Sequence, residues 1–407
     1  MRVLLTTYGS RGDVEPMAGL AVELRALGVE VLVCAPPDQD FVDLLNRAGL
    51  PLIPAFSSVR EWVTKALENK AAVDLPARAA EIVAAQFDAI APAAQGCDLI
   101  LAAGLFPSTA AARSVAEQLG IRYVYATYCP HWLPSAHHRP HAYPGHPVPA
   151  DVTDNRVLWD RDIQTMNAVF GGGVNAHRKW IGLPPVDNVR DHVFTDRPWL
   201  ASDPVLSSWQ QTDLRDVVQT GAWILPDDRP LPAELLAFLD AGAPPVYVGF
   251  GSMPMSAARE AGRVAVEAIR AQGRRVILLQ GWADLALTDD RDDCFVTGEV
   301  NQQLLFRRVA AVVHHGGAGT TTAAARAGAP QLVVPQIGDQ PYWARRVSEL
   351  GIGAGHDGPA PTFESFSAAL KTALAPKTGA RATAISGTIR TDGAAVTAKL
   401  LLDLISR

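Results

Sequence analysis

Short, almost wholly apolar runs recur along the chain at 3–6, 29–35, 99–103, 122–127 and 198–201, and again at 246–250, 276–279, 295–300, 311–313 and 332–334. Runs of this kind predict strands buried on both faces of a parallel sheet. Between them lie stretches with helical spacing. In 15–27 the apolar positions Met17, Leu20, Leu24 and Leu27 fall three or four apart, and 40–48 and 108–119 read as further helices. Strand and helix alternate throughout, which argues for α/β architecture with Rossmann-like sheets. Two helical stretches are predicted in 155–181, with a break at Gly171, Gly172 and Gly173.

The chain has 407 residues, too many for one typical core, and 48% of them are hydrophobic. Two domains are therefore expected. We place the boundary near Val217, just before a stretch at 219–232 carrying three prolines. This gives domains 1–216 and 217–407, with the final helix free to pack back on the first. By formal charge the chain has 36 basic and 42 acidic residues, a net of −6, and no basic block. Nothing in that balance suggests nucleic acid. The opening MRVLLTTYG reads as a first strand rather than a signal peptide, and no 18-residue apolar stretch occurs. A cytoplasmic protein without membrane insertion is expected. Cys34, Cys97, Cys129 and Cys294 are scattered and suggest neither disulfides nor a zinc site.

The most informative stretch follows the run at 311–313. His314 and His315 lead into Gly316, Gly317, Ala318 and Gly319, and Thr320 opens an Ala-rich helical segment. Strand, glycine turn and helix start together offer unpaired N–H groups and the positive end of the helix dipole, an arrangement that suits a phosphate. A glycine turn at a strand end also has a purely steric reading. The next run, 332–334, ends in Pro335 and Gln336, followed by Asp339 and Gln340, so both strand ends belong to the carboxyl edge of one sheet. An imidazole and helix amides for phosphate, with a carboxylate and an amide for hydroxyls, describe a nucleotide-sugar site. The turn Gly251-Ser252-Met253-Pro254 after the run at 246–250 is a second anion-friendly arrangement.

The loop between the first run and the first helix carries Ser10 and Asp13. Asp13 has two readings: a cap on the helix amides, or a general base able to take a proton from an acceptor hydroxyl. The least regular segment is 129–150, which holds five of the ten histidines and has prolines at 130, 134, 140, 144 and 147. Its density of proline excludes regular structure. A metal cluster finds no supporting spacing there, and an acceptor loop, with Trp132 and Tyr143 stacking on an aromatic molecule, is the better reading. The acidic run 289–293 invites a metal reading that its place in a polar loop argues against.

The segment HHGGAGTTTAAARAGAPQLVVPQIGDQPYWARRV resembles the donor-site signature of the family 1 glycosyltransferases with the GT-B fold, and most of all the group acting on vancomycin-type glycopeptide antibiotics. GSRGDVEP at 9–16, QTGAWILPDDRPL at 219–231, PPVYVGFGS at 244–252, HDGPAPTFES at 356–365 and the tail TIRTDGAAVTAKLLLDLISR extend the resemblance. It implies two Rossmann-like domains facing across a cleft, the first for acceptor and the second for donor. It implies an inverting transfer that needs no metal and no cofactor. Asp13 is then the base, standing where related enzymes commonly have a histidine. His314, matched to the family's leading histidine, would bind the donor phosphates with Ser10, Ser252, Gly316, Gly317, Ala318, Gly319 and Thr320. Trp282 and Val300 would flank the nucleotide base, although core packing is an equal reading for Trp282. Asp339 and Gln340 would hold the sugar. The donor is left open between a dTDP-deoxysugar and a UDP-sugar. The acceptor is expected to be a natural-product aglycone, a glycopeptide first, with a sterol or polyketide as alternatives, and the protein a monomer. A nicotinamide oxidoreductase is disfavoured, because no G-x-G-x-x-G follows the first run. A non-catalytic protein binding nucleotide sugars or antibiotics would keep the donor pocket and not need Asp13.

Overall fold

The computed structural model describes residues 1–69, 74–252, 256–282, 285 and 291–406. It divides into two compact units: Met1–Pro204 with Ser208–Leu225 and Thr391–Arg407, and Val205–Ser207 with Pro226–Arg390.

The first unit is built on seven parallel strands: β1 (Arg2–Tyr8), β2 (Glu30–Ala35), β3 (Leu52–Pro54), β4 (Leu99–Gly104), β5 (Arg122–Thr127), β6 (Trp199–Leu200) and β7 (Val218–Gln219). Their order is β3-β2-β1-β4-β5-β6-β7, with β1 central, so Val3 lies beside Val31 on one side and Leu99 on the other. The direction of sheet order reverses at β1 and β4, and it is at such a switch point that open α/β sheets hold ligands. The expected strands are all present, and β3 and β7 are additional. β7 pairs with β6, and the unit runs on to Leu225.

The first helix, Arg11–Ala26, starts before its apolar periodicity does. Ser10 caps it, and Asp13 reaches back to the Ser10 N–H, completing a capping box. The helix Gly393–Ser406 belongs to this unit and packs on Arg11–Ala26. The triple glycine does not break the chain into two helices. Asn155–Met166 passes through a π-helical turn, Asn167–Gly171, straight into Gly172–Trp180. At Gly173 an added Cβ would fall 2.9 Å from the Ala80 Cα, so that glycine serves close helix–helix approach rather than a break.

The second unit has six parallel strands in the order β10-β9-β8-β11-β12-β13: β8 (Val246–Gly249), β9 (Val276–Leu279), β10 (Cys294–Thr297), β11 (Ala311–His314), β12 (Gln331–Val333) and β13 (Gly353–Gly355). Alternate residues point to opposite faces, and both faces are covered. Val246, Val248 and Val313 meet Ala265, Phe366 and Leu370 on one side, and Tyr247, Ile277 and Val312 meet Leu305, Phe306 and Ala324 on the other. This double burial explains why the strands read as continuous apolar runs. No helix among the described residues is long and apolar enough to cross a membrane.

Candidate functional site

In the second unit β8, β11 and β12 lie side by side, and the turns leaving them gather the donor-site candidates at one sheet edge. Gly316 has φ +95°, and a Cβ there would come within 2.8 Å of Val333 Cγ1. Only glycine adopts that turn without strain. Gly317 then caps the helix Ala318–Ala327 with no side-chain bond, so the N–H groups of its first turn, which includes Ala318, Gly319 and Thr320, have no intrahelical carbonyl to meet. The hydroxyls of Thr321 and Thr322 turn inward to the carbonyls of Gly317 and Ala318.

The two histidines have different surroundings. His314 ends β11 with no exposed surface. Its Nδ1 accepts the Gly316 N–H at 3.1 Å, which leaves the proton on Nε2 to donate to Gln331 Oε1 at 2.9 Å. Both ring nitrogens are thus used inside the protein. Burial, with His315 adding to it, holds the His314 imidazole neutral by pushing its pKa down to about 3. His315 is partly exposed, and its ring lies between two glycines. A Cβ on Gly251 would fall 3.0 Å from its Cε1, and one on Gly317 would fall 2.7 Å from its Nε2. Its Nδ1 has no hydrogen-bond partner, and burial lowers its pKa to about 4. Both glycines therefore make room for an imidazole whose Nδ1 is buried and without a hydrogen-bond partner. Register with a family signature had pointed to His314, whereas the ring with an unmatched nitrogen is that of His315. Alternation along the strand is the signal that separates them, since consecutive side chains face opposite ways.

Ser252 follows Gly251 and is partly exposed, while Met253 and Pro254 lie outside the described residues. The Trp282 N–H donates to the Gly251 carbonyl at 3.2 Å, so the β8 and β9 turns are joined. Val300 is 8% exposed and packs with Leu305 and Phe306, so its side chain is core and only its backbone is suited to meet a base. Asp339 accepts from Trp343 Nε1 at 2.9 Å, and burial raises its pKa against that bond. The Gln340 Oε1 takes the N–H groups of Gln336 and Ile337 at 2.7 and 3.0 Å, which fixes the loop after β12. Of the acidic run, Asp289 and Asp290 lie outside the described residues, and Asp293 pairs with Arg270 at 2.7 Å.

In the first unit Ser10 and Asp13 sit at the end of β1, and both capping contacts are present. Asp13 Oδ2 accepts the Ser10 N–H at 2.8 Å, and Ser10 Oγ accepts the Gly12 N–H at 3.3 Å. A Cβ on Gly9 would collide with Asp13 Oδ2 at 2.1 Å, so the glycine is needed for the carboxylate to stand where it does. Capping orients the group without excluding proton transfer, because one carboxylate has several acceptor positions. Segment 129–150 is ordered by its side chains. Trp159 Nε1 donates to the His138 carbonyl, Asn155 Nδ2 donates to that of Ala136, and the His138 Nε2 meets the Leu133 carbonyl. Trp132 and Tyr143, both partly exposed, form one aromatic line through His141, with centroids 4.7 and 5.6 Å from it, and Tyr143 continues to Phe170.

Residues 3–137 match the Glycosyltransferase family 28 N-terminal domain, and residues 292–396 match the Erythromycin biosynthesis protein CIII-like C-terminal domain. Glycosyltransferase GtfE of Amycolatopsis orientalis is 58% identical, covering 98% of this chain and 97% of its own. The vancomycin aglycone glucosyltransferase of the same organism is 56% identical over 100% and 98%. Its dTDP-epi-vancosaminyltransferase is 49% identical over 100% and 98%. Among solved structures, spinosyn forosaminyltransferase SpnP superposes with a TM-score of 0.71 at 18% identity, and glycosyltransferase VinC in complex with DTDP with 0.69 at 20%, each over the full length of both chains. These two show the fold alone. Sharing more than half its residues with two Amycolatopsis enzymes along almost its whole length, the chain belongs to the vancomycin-group glycosyltransferases of the GT-B fold.

Proposed function

We propose that the protein transfers a sugar from a thymidine- or uridine-diphospho sugar to a hydroxyl of a glycopeptide aglycone, with inversion at the anomeric carbon and as a single chain in the cytoplasm. The observation that carries the reading is the turn after β11, where a buried His315 nitrogen without a partner lies beside a helix start at Ala318 whose amides no side chain caps. Full-length likeness to a vancomycin aglycone glucosyltransferase supports the acceptor, and likeness to a dTDP-epi-vancosaminyltransferase supports a thymidine-diphospho donor.

In this reading Asp13 takes the proton of the acceptor hydroxyl as its oxygen attacks the anomeric carbon. The bond to the diphosphate oxygen breaks on the opposite face, and charge grows on the leaving group. Preorganised donors act where charge develops, and one such donor is typically worth about 3 kcal/mol. The amides of the helix start, His315 and Ser252 serve that task, while His314 shapes the turn that carries them. Asp339 and Gln340 serve the sugar hydroxyls, the backbone at Val300 and the Trp282 region serve the base, and Trp132 and Tyr143 serve the aromatic acceptor. Incubation with dTDP-glucose, dTDP-deoxysugars or UDP-glucose and glycopeptide, polyketide or sterol acceptors, read by mass spectrometry, tests the proposal. One hexose or deoxyhexose added to the glycopeptide is the expected product. Transfer only to another acceptor class, or none with any donor, overturns it.

A further inference from the structure

We infer that Tyr128 is a positioning residue for the transfer reaction, holding the Asp13 segment in place from the end of β5. The inference rests on the reading of Asp13 as the base. Tyr128 directly follows β5, and its hydroxyl donates to the Asp13 backbone carbonyl at 3.2 Å, across 115 positions of sequence. A carbonyl in the first turn of a helix normally needs only the helix itself, so a side chain brought from another strand end is an added anchor. It acts on the very residue whose carboxylate is fixed by the capping box.

Tyr128 is itself held. Its ring meets Trp223 edge-on, with centroids 5.8 Å apart and planes at 86°. Trp223 is 4% exposed, and its indole N–H donates to Thr397 Oγ1 at 2.6 Å and Thr220 Oγ1 at 3.2 Å. Thr397 lies on the helix Gly393–Ser406, which packs on the Asp13 helix. Next to Trp223, the Ile224 backbone approaches Gly19 of the Asp13 helix so closely that a Cβ there would fall 2.9 Å from the Ile224 carbonyl carbon. The helix carrying Asp13 is thus clamped along its length, and Tyr128 supplies the clamp at the catalytic end. Misplacing a reacting group by about 1 Å can cost roughly 100-fold in rate. Removing one neutral hydrogen bond from such an anchor is expected to cost less, about 3- to 10-fold.

The test compares Tyr128→Phe, Asp13→Asn and the double variant in single-turnover transfer, with donor affinity by calorimetry and folding by thermal melting. Tyr128→Phe keeps the ring on Trp223 and removes only the hydroxyl. The expected result is a kcat lowered about 3- to 10-fold, donor Kd unchanged within about twofold, and no further loss when Tyr128→Phe is added to Asp13→Asn. A double variant slower than Asp13→Asn by the full Tyr128→Phe factor overturns the inference, since Tyr128 would then act independently of Asp13. Asp13→Asn with near-parent activity instead removes the base assignment and the positioning role with it. Should Tyr128→Phe fail to fold, Thr397→Val displaces the anchor beneath the ring and takes its place in the same comparison.

Discussion

Exchanging alanine for each of the two adjacent histidines is expected to produce two different defects. At His314 the ring fills space with no exposed surface, and its loss orphans the Gly316 N–H and the Gln331 Oε1. Truncating a buried ring of this size costs about 2–4 kcal/mol, and an unsatisfied buried partner adds about 1 kcal/mol or more. His314→Ala is therefore expected to lose about 3–5 kcal/mol, near 10 °C of melting temperature for a unit of this size. At His315 the ring lies between two glycines with a buried, unmatched nitrogen, and in the proposed role its loss removes a donor to a charged ligand. A hydrogen bond to a charged group is worth about 1.5–3 kcal/mol, or roughly 10- to 150-fold in Kd. Calorimetric titration with thymidine and uridine diphosphates, beside urea unfolding, reads both quantities. His315→Ala binding diphosphate within about twofold of the parent while His314→Ala loses binding and keeps its stability would refute the assignment.

Asp13→Asn is expected to lower transfer at least 100-fold with donor Kd nearly unchanged, and product formation under saturating donor measures it. Stability should depend on pH through His314. Its folded pKa, about 3, lies below the unfolded value near 6.5, so the unfolded chain binds the extra proton. The His314 contribution is complete above about pH 6.5 and falls by roughly 2 kcal/mol at pH 5, and urea melts at the two values that show no such dependence for this residue count against its burial as a neutral ring. Transfer should survive a strong chelator, because the proposed donor site offers amides and imidazole; loss with EDTA restored by magnesium would revive a metal role for the acidic run at 289–293. Trp132→Ala should raise the acceptor KM about tenfold and leave donor Kd alone, and a change in donor affinity instead would move that loop to the donor site.

How much of this could be read from residues alone follows from how each feature is encoded. Strands such as Ala311–His314 are buried on both faces and carry apolar residues at every position, which leaves a visible run. The strands Leu52–Pro54, Val218–Gln219 and Gly353–Gly355 are two or three residues long and contain proline, glutamine or glycine, so no run marks them. Their existence depends on neighbours that offer a free strand edge. The π-helical passage at Asn167–Gly171 and the helix that follows it were hidden for a related reason: Gly173 answers to Ala80 on another helix, a partner that periodicity cannot display. The Gly317 turn was legible because its chemistry is local, complete within a few consecutive residues, whereas the cap read at Asp13 belongs to Ser10, with Asp13 at the third helical position closing the capping box. The His314 and His315 pair was not, since two identical side chains in sequence differ only in which face of the strand end they occupy.

The second unit is almost a single continuous piece, Pro226–Arg390, spliced between two parts of the first. That matters for anyone building hybrids from relatives with different sugar preferences. One crossover near Leu225 would import a foreign final helix along with the foreign second unit, and that helix has to seat on Arg11–Ala26, with Gly393 against Gly221 and Thr397 under Trp223. Two crossovers, one near Leu225 and one near Thr391, exchange the second unit and leave each helix with the partner it was selected beside.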